Sequence, residues 1–187
     1  MSYPTLLGCL LIASLAAFAA MAEKVDTVTS RIGFTLTTRW GQTLEGRFPQ
    51  YQGEIASADD GRHQVRLRLS ARDVEIVDHP AYTRFTRGSG FFDAAHYPQV
   101  EFVSDAYPAA LLRSGGPLIG TLSIRGIRRR EVFEISPAGC AQPARDCDVV
   151  ATGSIDRGDY GMARWSFALS DQVRFTLRVR VRADAGA

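Results

Sequence analysis

Lysine is almost missing from this sequence: of its 22 basic residues only Lys24 is lysine, and the rest are arginine. Such a bias matches GC-rich codon usage and carries no functional reading. An excess of charge of one sign is missing too. Against 20 acidic residues the formal net charge is +2, which leaves no cationic field of the kind a dedicated nucleic-acid binder uses. Histidine is scarce, and His63, His79 and His96 stand at no metal-ligand spacing. No G-x-S-x-G turn is present, and three scattered histidines make no triad. These absences leave no catalytic residue, metal or cofactor to expect. The chain has 187 residues, 45% of them hydrophobic and 22% charged. It is long enough to bury one core and too apolar to stay disordered.

Charge is absent altogether from residues 1–22, where an apolar run from Leu6 to Phe18 precedes Ala20-Met21-Ala22. A short apolar segment followed by a small-x-small site resembles a secretory signal peptide, although no Lys or Arg precedes the run. The run is too short for a comfortable membrane span, and no later stretch approaches 18 apolar residues. Two alternatives stay open: an uncut anchor, and lipidation at Cys9, because Leu6-Leu7-Gly8-Cys9 resembles a lipobox. The expected organisation is a signal peptide over 1–22 and a single domain over 23–187, exported to the periplasm. Beyond Cys9 only Cys140 and Cys147 remain. An even pair at close spacing in an exported chain reads as a disulfide, worth about 2–3 kcal/mol for so short a loop. A metal site would need two more ligands, and no histidine lies nearby.

Period two dominates the rest of the chain. Val173, Phe175, Leu177, Val179 and Val181 alternate with Arg174, Thr176, Arg178, Arg180 and Arg182, the pattern of a strand with one buried face. Ile32, Phe34 and Leu36 alternate in the same way, as do Val65, Leu67 and Leu69. Further strands are expected at 44–55, 100–107, 118–124, 130–136, 148–155 and 164–169. Turn signals such as Asp60-Gly61 and Ser114-Gly115-Gly116-Pro117 separate them. Only residues 78–97, with Pro80 and a run of aromatics, break the pattern and fit a short helical insertion. Eight or nine such strands in an open sheet would expose two long edges, which closure into a barrel removes. Phe34, Phe48, Phe91, Phe92, Phe102, Phe133, Phe167 and Phe175 are candidates for its interior. Alternation alone leaves open whether that interior is a filled core or a ligand cavity.

Several local motifs occur in order: Asp26-Thr27-Val28-Thr29-Ser30-Arg31-Ile32-Gly33-Phe34, then Gly46-Arg47-Phe48-Pro49, Phe91-Phe92-Asp93, and Phe102-Val103-Ser104. Gly120-Thr121-Leu122-Ser123-Ile124-Arg125-Gly126 and Ile155-Asp156-Arg157-Gly158-Asp159-Tyr160-Gly161-Met162 complete the series. In this order they resemble the YceI-like family of exported, polyisoprenoid-binding proteins, over essentially all of residues 23–187. The resemblance implies an all-β fold, a closed antiparallel eight-stranded barrel similar to a lipocalin, with no catalysis. It implies an elongated lumen that holds an isoprenoid or another long amphiphile. The lumen is then expected to be lined by Phe34, Leu36, Phe48, Phe91, Phe92, Phe102, Leu122, Ile155 and Phe175. Trp40, Met162 and Trp165 rim its mouth or form a packed corner. The chain departs from the family pattern at Thr29-Ser30 (usually His-Ser) and at Arg128-Arg129-Arg130 (usually Thr-Lys/Arg-Pro). It departs again at Phe85-Thr86-Arg87 with Gly90, where His-Leu-Arg and an acidic residue are usual. Two polar positions that could meet a ligand head group are thereby altered.

Several other features have competing readings. Arg87-Gly88-Ser89-Gly90 reads as a flexible loop rather than an anion-binding one, since no strand and long helix frame it. Arg125, Arg128, Arg129 and Arg130 form either a solvated hairpin end or a contact for anionic lipid at a membrane surface. Asp156, Arg157, Asp159 and Arg164 read as a loop ion-pair group. The functional readings are a carrier of a long apolar amphiphile, as a monomer or a homodimer, and a structural or interaction barrel with a filled core and no ligand.

Overall fold

The computed structural model describes residues 22–58 and 60–182; residues 1–21 of the expected signal peptide, Cys9 included, lie outside them. Among the described residues no helix is long and apolar enough to cross a membrane. The chain forms a single, strongly curled antiparallel sheet. Its strands are β1 (Ala22–Lys24), β2 (Arg31–Thr38), β3 (Thr43–Arg47), β4 (Tyr51–Ser57), β5 (Arg62–Ser70) and β6 (Glu75–Ile76). After helix α1 (Pro80–Arg87) come β7 (Gln99–Ser104) and β8 (Tyr107–Pro108). After the single turn α2 (Leu111–Ser114) come β9 (Gly116–Ile124), β10 (Ile127–Ile135), β11 (Val149–Asp156) and β12 (Leu169–Val179). A 3-10 turn, Arg157–Tyr160, comes after β11. The order across the sheet is β1-β4-β5-β7-β9-β10-β11-β12-β2-β3-β6, with β8 beside β5.

The alternation seen in the sequence sets the two faces. In β12, Val173, Phe175 and Leu177 are buried while Arg174 and Arg178 are exposed. The same two-residue period buries Ile32, Phe34 and Leu36 in β2 and Val65, Leu67 and Leu69 in β5. All of these belong to one continuous core. At burial values of about 25 cal/mol per Å² of apolar surface, this face is the main source of stability.

Two breaks place strands that the period alone misses. The turn at 26–30 separates β1 from β2. There the Asp26 carboxylate accepts from the Val28 N–H (2.9 Å) and the Thr29 hydroxyl (2.6 Å), and the Ser30 N–H donates to the Asp26 carbonyl (3.0 Å). Ser30 is almost fully buried, and its Oγ accepts from the Arg180 N–H at 2.8 Å. The opening motif therefore fastens the start of the domain to the end of β12. Beside it Val25 pairs with Val181, the Asp26 N–H donates to the Arg180 carbonyl, and the Arg182 N–H donates to the Lys24 carbonyl. The second break corrects an expectation. Residues 44–55 are two strands, β3 and β4, because Pro49 has no N–H for a ladder and fixes φ.

Residues 164–169 also differ from expectation. They form a turn in which Trp165 has φ +68° and its carbonyl accepts from the N–H groups of both Ala168 and Leu169. The strand starts only at Leu169, so Phe167 is not interior but 75% exposed. Cys140 and Cys147 form a disulfide, with Cα atoms 6.2 Å apart, in the connection between β10 and β11. The stapled loop is tied to the end of the sheet where the Val181 N–H donates to the Ala144 carbonyl.

Candidate functional site

The curled sheet encloses two apolar cavities. The larger, about 250 Å³, is lined by residues of β2 and of the first half of β12, by α1 and the Phe91-Phe92 pair, and by the loop from Arg157 to Ala168. The smaller, about 80 Å³, lies towards the disulfide, among Ile32, Leu118, Ala144, Leu177 and their neighbours. Phe175 lines both. Along β12 the side chains of Leu169 and Val173 face the first cavity and those of Leu177 and Val179 the second. The two are therefore consecutive compartments along a strand path of about 30 Å.

A ladder of phenylalanine rings runs from one compartment to the other. Phe34 stands 5.8 Å from Phe175 and 5.7 Å from Phe48, centroid to centroid, and Phe133 stands 6.4 Å from Phe175. Glycines on neighbouring strands let these rings lie against the sheet instead of filling the interior. A Cβ built at Gly46 would stand 2.1 Å from Cζ of Phe34, and one at Gly153 would stand 2.8 Å from the Phe133 ring. Strand glycines covered by a cross-strand aromatic are a known way to shape a curved sheet.

Of the nine residues expected in the lumen, Phe34, Leu36, Phe91, Phe92, Ile155 and Phe175 line the larger cavity. Phe102 and Leu122 line the smaller. Phe48 lines neither: it is 1% exposed and packs between Phe34 and Phe92 as solid core. Trp40, Met162 and Trp165 all line the larger cavity, with Trp40 71% and Trp165 41% exposed at its opening. The sequence reading missed Tyr82 and Phe85 of α1, which complete this opening. α1 buries none of its residues, yet Tyr82 and Phe85 stand three apart on its apolar side, against Arg84 and Arg87, and that spacing was the signal that could have found them.

It also missed the role of Arg157. The side chain is 1% exposed and borders the larger cavity. Its Nε donates to the Ser170 carbonyl at 2.9 Å. Nη1 donates to the carbonyls of Met162 and Arg164, and Nη2 to the Leu169 carbonyl and the Asp171 carboxylate. A guanidinium has five N–H donors, and this one directs all of them at the loop that carries Met162 and Trp165 and at the start of β12. Burial lowers its pKa while Asp171 opposes that shift. Arg157 thus builds the mouth rather than awaiting an anion. Nearby, the fully buried Tyr160 donates its hydroxyl to Glu131 at 2.7 Å, and burial together with that bond pushes its pKa up.

The expected loop ion-pair group is regrouped. Arg157 pairs with Asp171 and Asp159 with Arg129, while Asp156 caps the 3-10 turn by accepting from the Gly158 N–H. Arg87-Gly88-Ser89-Gly90 is a hydrogen-bonded helix end: the Gly88 carbonyl accepts from the Phe91 and Asp93 N–H groups. Among the described residues no three His, Cys, Asp or Glu side chains are placed to hold a metal ion. His63 contacts Ser57 and His96 contacts Asp93, both at the surface.

Comparison with known proteins agrees with this geometry. The fold is similar to that of BcnA from Burkholderia cenocepacia (20% identity, TM-score 0.68, covering 85% of this chain and 99% of that one). It is similar to a polyisoprenoid binding domain from Saccharophagus degradans implicated in plant cell wall breakdown (14% identity, TM-score 0.63, covering 88% and 99%). It also resembles the YCEI protein of Campylobacter jejuni (19% identity, TM-score 0.60, covering 74% and 85%). No curated protein matches the sequence. The family model for the YceI-like domain matches residues 24–181, which takes in every strand from β2 to β12 and both cavities, and the chain belongs to the YceI-like domain family.

Proposed function

We propose that this protein is a non-enzymatic periplasmic carrier that holds a long apolar amphiphile, an isoprenoid or a similar lipid, inside an eight-stranded barrel. The observation that carries the reading is the pair of consecutive apolar cavities meeting at Phe175. Such a space suits an extended chain better than a compact ligand. Apolar burial at about 25 cal/mol per Å² supplies affinity without a specific polar contact. The Thr38 hydroxyl accepts from the Gln42 N–H and the Thr86 hydroxyl donates to the Tyr82 carbonyl, which leaves the Gln42 side-chain amide at the mouth for a head group. A filled interaction module, the other reading of the same alternation, fits a solid interior and not an open cavity of about 250 Å³.

Strand pairing supports closure. β1 and β2 act as one strand interrupted at Asp26–Ser30, and β3 and β4 as one interrupted at Pro49. The first bonds to the second through β2–β3 and β1–β4, and to β12 through β2 and the Val25–Val181 bridge. Counted with β5, β7, β9, β10, β11 and β12, these two composite strands give the proposed barrel its eight strands. The Saccharophagus relative is described as binding polyisoprenoid, which points to the same ligand class. The apolar leader and the Cys140–Cys147 disulfide suit an oxidising, exported setting.

Trp40 and Trp165, the only tryptophans in the chain, both line the larger cavity, so ligand entry can be read from intrinsic fluorescence. In titrations with isoprenoid alcohols of increasing length we expect a saturable blue shift. The affinity should rise with each added unit until the interior is full. A shift that never saturates, or none at any length, would contradict the reading.

A further inference from the structure

The mouth of the larger cavity opens through an aromatic rim. Trp40 is 71% exposed, Phe85 60%, Tyr82 44% and Trp165 41%, and all four line the cavity. Phe167, 75% exposed, packs against Trp165 at 5.6 Å. These five come from three separate segments: the β2–β3 turn, α1, and the loop before β12. Large aromatics left in water at one place mark an interaction surface. Cations are interleaved with them. Arg39 adjoins Trp40, Arg84 lies between Tyr82 and Phe85, and the Arg164 guanidinium sits 5.9 Å from the Trp165 ring. α1 carries no acidic residue. The acidic groups nearby are Asp171, which pairs with Arg39 and Arg157, and Asp78 ahead of α1. Among the described residues Arg84 and Arg164 have no ion-pair partner.

Resting on the carrier reading, we propose that this rim docks on an anionic lipid bilayer. The aromatic side chains enter the head-group layer and the arginines face lipid phosphates, so that the mouth opens directly onto the membrane. Tryptophan, tyrosine and arginine together are the composition of a membrane–water interface. The cavity continues inward from the same patch, so an apolar chain passes from bilayer to protein without crossing water. Three of the four arginines in the run that the sequence offered for a membrane contact are otherwise engaged. Arg125 donates to the Gly161 carbonyl, Arg129 pairs with Asp159, and Arg130 pairs with Asp105.

The test is flotation of the purified protein with vesicles of phosphatidylcholine alone or mixed with phosphatidylglycerol. The wild type should float with the anionic vesicles, and less so at high salt. Phe167→Ser combined with Arg84→Glu should cut the bound fraction by about tenfold. Neither residue lines the cavity, so this variant should keep its melting temperature and the concentration of isoprenoid alcohol at which its fluorescence change is half complete. Arg113→Glu, on α2 beside the disulfide loop at the other end of the sheet, should float like the wild type. Docking is overturned if the wild type does not float, if the double variant floats equally well, or if sedimentation shows the rim buried in a dimer that the variant dissolves. Flotation with no fluorescence response to any isoprenoid would instead sink the carrier reading and leave docking in place.

Discussion

An Arg157→Met protein is expected to lose about 3–5 kcal/mol of folding stability, the cost typical of removing one partner from a buried charged network. Methionine fills much of the same volume but offers no donor. The carbonyls of Met162, Arg164, Leu169 and Ser170 lose their partner together, and Asp171 is left beside Arg39 alone. Arg157→Lys should recover little, because an ammonium cannot reproduce a planar fork that reaches five acceptors. Urea denaturation gives the loss directly. Since the loop held by Arg157 carries Trp165, ligand-induced fluorescence should fall even under conditions where the variant is still folded. A loss below about 1 kcal/mol would mean that the loop is held by its own turn bonds.

The second large effect separates packed core from cavity wall within one set of aromatics. Phe48 touches Phe34 and Phe92, lines no cavity and is 1% exposed. Its truncation to alanine opens a new void and should cost about 3–5 kcal/mol. Phe175 is 4% exposed but borders empty space on two sides. Phe175→Ala should therefore cost about 2 kcal/mol, close to the transfer contribution alone. The same change joins the two compartments, so the longest isoprenoid alcohol that saturates the protein should become longer. Equal destabilisation by both changes, with no shift in preferred chain length, would make Phe175 ordinary core.

The strands were legible wherever alternation was strict. The Val173–Val181 series, the β2 and β5 series and the cysteine pair all carry local signals that tertiary context did not override. The motif order carried the family. What was hidden depends on backbone conformation or on distant partners. Residues 164–169 alternate acceptably, yet the positive φ of Trp165 turns Phe167 outwards. Phe48 obeys the same period as Phe34, but the rings of Phe34 and Phe92 enclose it in solid packing. Arg157 looked like one charge among four in a loop. Its burial is decided by carbonyls up to 13 residues away, which no spacing rule encodes. Tyr82 and Phe85 contribute to the mouth from a helix that is amphipathic but only two turns long and buries no residue, so their spacing alone did not point to a cavity.

The central claim is that the enclosed space holds an amphiphile with a long apolar chain. Native mass spectrometry of the purified protein, followed by organic extraction of the same sample, tests it most directly. The account predicts a one-to-one adduct that survives desalting and releases a lipid whose apolar tail is long enough to pass Phe175. An apo mass alone, with no lipid in the extract and no adduct after incubation with isoprenoid alcohols, would contradict it.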